Sequence, residues 1–568
     1  MKKKVLPVII VIAFIILIGI IYAGQLFYEK FSYSKDRADL SAYFGIENSE
    51  DVPVIYGNEQ IEIYAKNTDG KYYLDFDSVQ TYLNDRFYYG QNDGILVYTT
   101  PTAIITAAVD ASSWTSTDGT SNDEGYKIAY LDGETLYVAL DYVQKYTDFE
   151  YESYSEPDRI QITASWDEEQ TTATINKDTA LRIRGGVKSE ILEDLEKGET
   201  VVVLEKMENW SKVKSGDAFI GYVENKRLSD ETTAVPAHEA VYVEPEYTSI
   251  SKDYKINVGF HAIGGTAGND TLQSVVANTK SLNTIAPTWI SISDNSGNIR
   301  SYASADYVTQ AHALGLEVWA VVDNFNGPED VSTEEVLTHA ASRANLISQI
   351  MQQVDTYGFD GINLDFELID ESYAQSYIEF IRELSVSCRA KGIVFSIDNY
   401  VPMNFNNHYN LEEQGIVADY VLIMGYDEHY AGSEEAGSVA SIDYVENGIV
   451  DAIAMVDASK VLNAIPFYTR IWKTSGGEVS SQAVDMTVAN EYIQSHSINM
   501  TWDEETCQYY GEFTDEDGAL VQIWLEDAKS IEAKLGVMSS NNIAGVGEWE
   551  LGFETSDVWD VIEAYVNG

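Results

Sequence analysis

Phe359-Asp360-Gly361-Ile362-Asn363-Leu364-Asp365-Phe366-Glu367 reads as one β-strand whose two faces differ in kind. Side chains alternate along a strand, so Asn363, Asp365 and Glu367 share one face while Ile362, Leu364 and Phe366 share the other. The apolar face suits a layer of helices. The acidic face crowds two carboxylates, and their mutual repulsion costs free energy on a purely structural strand. At an active site the same crowding raises one carboxyl pKa and makes that group usable as a general acid. A solvated strand face is the competing reading. Gly361 and the lead-in Tyr357-Gly358-Phe359 favour a buried strand.

Working outward, apolar runs alternate with helical stretches from about residue 253 to the end of the chain. Strands are expected at 256–260, 288–292, 317–322, 361–367, 394–398, 420–426, 461–466 and 544–549. Eight strands alternating with helices predict a (β/α)8 TIM barrel over 253–568. The rhythm breaks over 467–525, where Thr501-Trp502-Asp503 and Ala519 to Trp524 read as strands of a small α+β insertion. Barrel active sites lie at the C-terminal ends of the strands, which puts Glu367 at the mouth.

The quoted run resembles the D-G-x-D-x-D-x-E signature of glycoside hydrolase family 18, the chitinase-like enzymes. It is most similar to the peptidoglycan and spore-cortex branch, where the middle Asp is often Asn, as Asn363 is here. Three further strand ends fit the resemblance. Met424-Gly425-Tyr426-Asp427 is similar to the family's M-x-Y-D. Pro466-Phe467-Tyr468-Thr469-Arg470-Ile471-Trp472 follows the seventh strand. Gly545-Val546-Gly547-Glu548-Trp549-Glu550-Leu551-Gly552 follows the eighth, where the family places a Trp under the sugar.

The resemblance implies a retaining, substrate-assisted hydrolase of β-linked N-acetylglucosamine-containing glycan. Glu367 would protonate the leaving oxygen, and the substrate's own acetamido oxygen would attack. Asp365 would hold the acetamido N–H, and Tyr426 would aim the acetamido group. Trp549, Asp427, Met424, Arg470 and Asn363 would contact substrate, with a structural role carrying equal weight for Trp549, Asp427 and Arg470. Asp360 would support the strand. Asn363 departs from the chitinase pattern, because Asn cannot take up charge although it still donates a hydrogen bond. Cell-wall peptidoglycan is the expected substrate. The alternatives are a chitinase or endo-β-N-acetylglucosaminidase acting on other glycans, and a catalytically weak wall-binding protein.

At 568 residues the chain has room for about three to four domains. Its 92 acidic against 35 basic residues give a net charge of −57. That balance excludes nucleic acid as a partner, because phosphate contacts need Lys and Arg. Cys388 and Cys507 match no zinc spacing and leave one disulfide open. The seven histidines show no metal-ligand spacing either, so no metal or cofactor is expected.

Lys2-Lys3-Lys4 before the uncharged run 5–23 predict a membrane anchor with the lysines in the cytoplasm; a cleaved signal is the rival. Both readings export the rest of the chain. A polar spacer is expected over 24–45. An α+β module over 46–172 resembles the copper amine oxidase N-terminal-like module of exported proteins; it contains no His, so it implies no copper. Residues 173–230 resemble a bacterial SH3-like domain, a small β-barrel that often binds cell wall. Residues 231–252, with Pro236 and Pro245, read as a linker.

Overall fold

The computed structural model describes residues 5–568 and divides into two compact units. The lysines at positions 2 to 4 lie outside the described residues. The first unit comprises residues up to 86, 109–113 and 123–244. It opens with a helix, Val5–Phe31, exposed from Pro7 to Phe31, in which an 18-residue window has a mean hydropathy of 2.8. At 1.5 Å per residue, such a helix exceeds the roughly 30 Å of a bilayer's hydrocarbon core.

The polar spacer expected over 24–45 is in fact largely structured. The first helix continues through Phe31, where Leu26 and Phe27 prolong the apolar run and Gln25 donates to Glu29 at 3.0 Å. A second helix, Leu40–Phe44, is capped by Asp39 and ended by Gly45 in the left-handed region. Its Phe44 is buried among Leu181, Val213 and Phe219, the core of a seven-stranded antiparallel sheet formed by residues 170–234. That sheet includes the strand Leu228–Ala234, which extends into the expected linker. A second seven-stranded sheet joins Val52–Tyr56, Glu59–Thr68 and Lys71–Asp75 to strands between residues 129 and 163.

The second unit comprises 87–108, 114–122 and 245–568. Eight parallel strands form the barrel: β1 (Ile256–His261), β2 (Thr284–Ile292), β3 (Glu317–Asp323), β4 (Gly361–Asp365), β5 (Val394–Tyr400), β6 (Tyr420–Met424), β7 (Val461–Pro466) and β8 (Gly545–Trp549). They pair in sequence order, and β1 bonds to both β2 and β8, which closes the sheet. The period-2 pattern decides what faces where. Ile362, Leu364 and Phe366 pack outward with the helices. Val258, Trp319, Val321, Leu422 and Ala464 fill the inside. Between β7 and β8 sits a five-stranded antiparallel sheet with the helix Met486–His496.

The strands Phe87–Gly90 and Ile95–Thr99 fall inside the 46–172 stretch expected to form one module, yet their contacts are with the barrel unit. Their partners are α1 (Ala340–Tyr357) and α2 (Ala374–Lys391), the helices on either side of β4. Tyr88 Oη lies 2.9 Å from Ser376 Oγ, and Thr99 Oγ1 donates to Glu379 Oε1 at 2.6 Å. Arg389 Nη1 donates to the Pro101 carbonyl at 2.8 Å. This cover explains how α2 keeps Glu379, Arg382 and Glu383 out of water. Arg343 grips Glu383 with two bonds of 3.0 and 3.1 Å, and Arg382 donates to Glu413 at 2.7 Å. The sequence signal for this docking is weak, because charged residues on a helix ordinarily read as a solvated face.

Breaking a buried pair strands its partner's charge, whereas an exposed pair contributes little. Arg343→Ala should therefore destabilise the protein by about 3–5 kcal/mol. Arg37→Ala, which breaks the exposed pair with Asp194, should cost less than about 1 kcal/mol. Thermal melts of the two variants check this; equal shifts would contradict it.

Candidate active site

The site forms where three neighbouring strands end. Asp323 at the end of β3 is the register partner of Asp365 at the end of β4. Leu364 pairs with Ile397, so Asp398 on β5 lies beside Asp365 one step further on. Adjacent strands are about 4.8 Å apart, so three aspartates stand side by side on the inner face. All three are almost completely buried. Asn363, one layer below, donates through Nδ2 to Asp398 Oδ1 at 2.7 Å and to Ser396 Oγ at 2.9 Å. Asn363 Oδ1 and Asp365 Oδ1 are buried with no hydrogen-bond partner.

The strand expected to run through Glu367 stops at Asp365. Asn324 takes over beyond it. Its Oδ1 accepts from the Glu367 amide and its Nδ2 donates to the Glu367 carbonyl, both at 2.9 Å. The chain then turns at Leu368, whose φ is +56° and whose side chain is exposed. Glu367 is thus held at the mouth by a side chain rather than by a ladder. Tyr400, at the end of β5, donates its hydroxyl to Glu367 Oε2 at 2.7 Å.

Tyr426 follows β6, with its ring centroid 6.2 Å from that of Tyr468 in an edge-on arrangement. Tyr400, Tyr426 and Trp549 all pack on the barrel's inner cluster, to which Met424 also belongs. Trp549 ends β8 with its ring 5.7 Å from Phe260. Asp427, at φ +58°, accepts from the Tyr468 hydroxyl at 2.6 Å. Arg470 lies on the insertion strand Tyr468–Ser475 and donates to Ser481 at 3.1 Å. Asp360 is not at the mouth. It sits at the opposite end of β4, accepting from the Val318 amide and pairing with His312, each at 2.8 Å.

The electrostatics follow from burial without counter-charge. Burial pushes the Asp365 carboxyl well above the usual carboxylate range, and Asp398, Glu367 and Asp323 push it further. Asp398 rises to about 8, chiefly through burial, against the lowering effect of the Asn363 bond. Glu367 is raised by burial, with Asp427 and Asp323 adding to the shift and the Tyr400 bond opposing it. Glu550, next to Trp549, rises to about 7 through burial. A raised pKa favours the protonated form, which is the form that general-acid work by Glu367 needs. Among the described residues, no group of three or more His, Cys, Asp or Glu is arranged to hold a metal ion, and both cysteines are free thiols.

Sequence reasoning missed Asn324, Asp398 and Tyr400. A signal for two of them exists. Ser396, Asp398 and Tyr400 alternate on β5 as Asn363, Asp365 and Glu367 do on the neighbouring run. Asn324 carried no signal, because its role depends on a turn between elements.

Comparison with known proteins agrees with this geometry. Residues 290–554 match the model for glycosyl hydrolases family 18. Residues 177–229 match the bacterial SH3 domain. Two stretches of the chain are therefore similar to known families, the barrel to family 18 glycosyl hydrolases and residues 177–229 to bacterial SH3 domains. An uncharacterized glycosylase of Bacillus subtilis is 24% identical over 293 residues, which is 50% of this chain and 84% of that protein. The cortical fragment-lytic enzyme of Bacillus anthracis is 23% identical over 267 residues, 45% of this chain and 61% of the enzyme. A further B. subtilis glycosylase is matched over 53% of its length, so the chain spans only part of several relatives. The crystal structure of a chitinase from Chromobacterium violaceum shares the fold, with a TM-score of 0.50 at 20% identity, covering 55% of this chain and 99% of that one.

The raised carboxyls also set a stability trend. Unfolded Asp and Glu titrate near 4, so between about 4 and 8 the folded state holds protons that the unfolded state has released. This stability contribution is complete below about 4 and is lost as pH rises through about 7 and 8, the values for Glu550 and Asp398. The melting temperature should accordingly fall from pH 5 to pH 8. Glu548, fully buried with both oxygens unpartnered and raised by burial, takes part in the trend. Glu548→Gln, which keeps its shape and cannot ionise, should flatten the slope in a pH series of melts.

Proposed function

We propose that this protein is a retaining, substrate-assisted glycoside hydrolase that cleaves β-linked N-acetylglucosamine-containing glycan, with cell-wall peptidoglycan as its substrate. The observation that carries the reading is Glu367, held at the barrel mouth by Asn324 and Tyr400 directly above Asp365 on the same inner face. Glu367 protonates the glycosidic oxygen as it leaves. The acetamido oxygen of the sugar attacks the anomeric carbon to give an oxazolinium ion. Asp365 accepts the acetamido N–H and stabilises the growing positive charge, and Tyr426 orients the acetamido group. Glu367, now ionised, draws a proton from water, which opens the oxazolinium with overall retention. Trp549 forms the floor under the sugar, while Asp427, Met424 and Arg470 line the approach.

Peptidoglycan is favoured by two features. The cortical fragment-lytic enzyme of B. anthracis is among the relatives, and a bacterial SH3 domain precedes the barrel. In this reading the SH3 domain holds wall material, and the apolar helix Pro7–Phe31 keeps the enzyme at the outer face of the membrane.

Glu367→Gln should lower turnover at least about 10²-fold while leaving glycan binding intact. Asp365→Ala and Tyr426→Phe should lower kcat more than they raise KM, because both groups act as charge develops. Mass spectrometry of products from purified peptidoglycan and from chitin oligomers reads these variants and the substrate together. Near wild-type turnover by Glu367→Gln would remove Glu367 from the mechanism, and preferential cleavage of chitin would overturn the choice of substrate.

Location has its own measurement. After fractionation, full-length protein should stay with membranes and retain the residues before Val5. A mature N-terminus near Gly24 in the medium would make the segment a cleaved signal.

A further inference from the structure

The three aspartates at the barrel mouth raise a question the scheme above leaves open. Asp365 must be ionised when the oxazolinium forms, yet it sits in a dry barrel beside Asp323 and Asp398. Asn363, the nearest polar group below it on the same strand face, has an amide and cannot take up a proton. Asp398 can. It is on the neighbouring strand, in lateral register with Asp365, and its Oδ1 is fixed by the Asn363 amide at 2.7 Å.

We infer that Asp398 is a positioning residue that stores the proton of Asp365, the two carboxyls sharing a single proton across the β4–β5 ladder. The inference rests on the proposed hydrolase reading and adds to it the group that lets Asp365 change charge. In the resting site the proton lies on Asp365. When the substrate's acetamido N–H reaches Asp365, that proton passes to Asp398. One O–H bond breaks and one forms, and the pair keeps a net charge of −1 throughout. Asp365 then faces the oxazolinium as a carboxylate, and no proton has to leave for solvent. The transfer reverses as the product departs.

The surroundings suit this arrangement. The titratable groups that act on the pair are Asp323 from β3, Glu367 beyond β4, Tyr377 from α2, Tyr409 from the turn after β5 and Tyr426 beyond β6. None is basic, so among the described residues no cation acts to hold both carboxylates ionised together. Like charges this close titrate as a pair, in two separated steps. Burial and mutual repulsion displace the pair upward, so it keeps at least one proton near neutrality. The Asn363 amide engages only one Asp398 oxygen, which leaves the other free to receive the proton.

The test is the pH profile of kcat for the full chain on peptidoglycan. Asp398→Ala removes the store, so Asp365 must release its proton to solvent from a buried position. The acid limb should move up by about one pH unit or more, with activity recovered at higher pH. Asp398→Asn keeps the shape and mimics the protonated store, since its Oδ1 can accept from Asn363 and its Nδ2 can donate to Asp365. Its acid limb should stay at, or fall below, the wild-type position. The double variant Asn363→Asp/Asp398→Asn returns a carboxyl to the Asp365 strand and should restore the wild-type profile. A merely structural aspartate would lower melting temperature or amplitude without moving the limb, or would move it equally in Ala and Asn variants; either result overturns the inference. If Glu367→Gln is fully active in the same assay, it is the hydrolase reading that fails. If Glu367→Gln is inactive and the Asp398→Ala limb is unmoved, only the proton store fails.

Discussion

Parallel strands in register put equivalent positions side by side, and in this barrel three such positions are aspartates. Asp323, Asp365 and Asp398 stand on consecutive strands above the apolar layers of Trp319, Val321 and Leu422. Water is excluded from below, and no basic side chain acts on Asp365 or Asp398. Fully ionised, the trio would be severely destabilising, since desolvation and mutual repulsion act in the same direction. Much of the surrounding structure can be understood as meeting that constraint. Neutral donors do the holding: Asn363 on Asp398, Tyr400 on Glu367, and Asn326 with Ser291 on Asp323. A neutral donor fixes a carboxyl without forcing it to ionise, whereas an Arg or Lys would hold it charged and spoil its use in proton transfer.

The same demand for fixed geometry reaches the outside of the barrel. At the foot of β4, Gly361 allows the Trp319 ring to lie against the backbone; a Cβ there would come within 2.7 Å of Trp319 Cδ1. Trp319 and Gly361 are register partners on β3 and β4, two strands whose far ends carry Asp323 and Asp365. Outside β4, α1 and α2 carry a buried set of arginines and glutamates rather than a purely apolar seam. Such networks are no more stable than an apolar seam, but they tolerate only one arrangement of their members. Their cover is the strand pair Phe87–Gly90 and Ile95–Thr99, which lies more than 250 residues earlier in the chain. The flank of the acidic strand is therefore completed by a segment that arrives from another part of the sequence.

This arrangement also explains what could be read in advance. The barrel was legible because each strand carries its own period-2 pattern, and β4 shows the pattern with opposite chemistry on its two faces. The placement of Asp365, Glu367, Tyr426 and Trp549 at or just beyond strand ends was legible from the strand pattern. Asp398 and Tyr400 carry the same local signal, but they lacked a signature to draw attention to it. Asn324 and the docking of Tyr88 and Thr99 on α2 were not legible. Each depends on two segments meeting in space, and neither segment has a periodicity that names its partner. The spacer misread as polar belongs with these, since nothing near Phe44 in the chain names the core around Phe219 and Leu181 that receives it.

Asn363 also takes its meaning from the neighbouring strand. Seen on β4 alone, it is an amide between acidic neighbours. Seen across the ladder, it sits beneath a layer that already holds three carboxyls. A fourth charge there would raise the cost of ionising Asp365 still further. An amide supplies what that layer lacks, a donor that anchors Asp398 through one oxygen and leaves the other free. Its own Oδ1 stays buried and unpartnered, a cost of about 1–3 kcal/mol for a neutral polar group. Accepting that cost is reasonable if the alternative is a charged group with no counter-ion, because desolvating a charge costs several times more. Asn363 and the carboxyl on β5 are thus two parts of one electrostatic arrangement, an amide donor on one strand and the acid it anchors on the next.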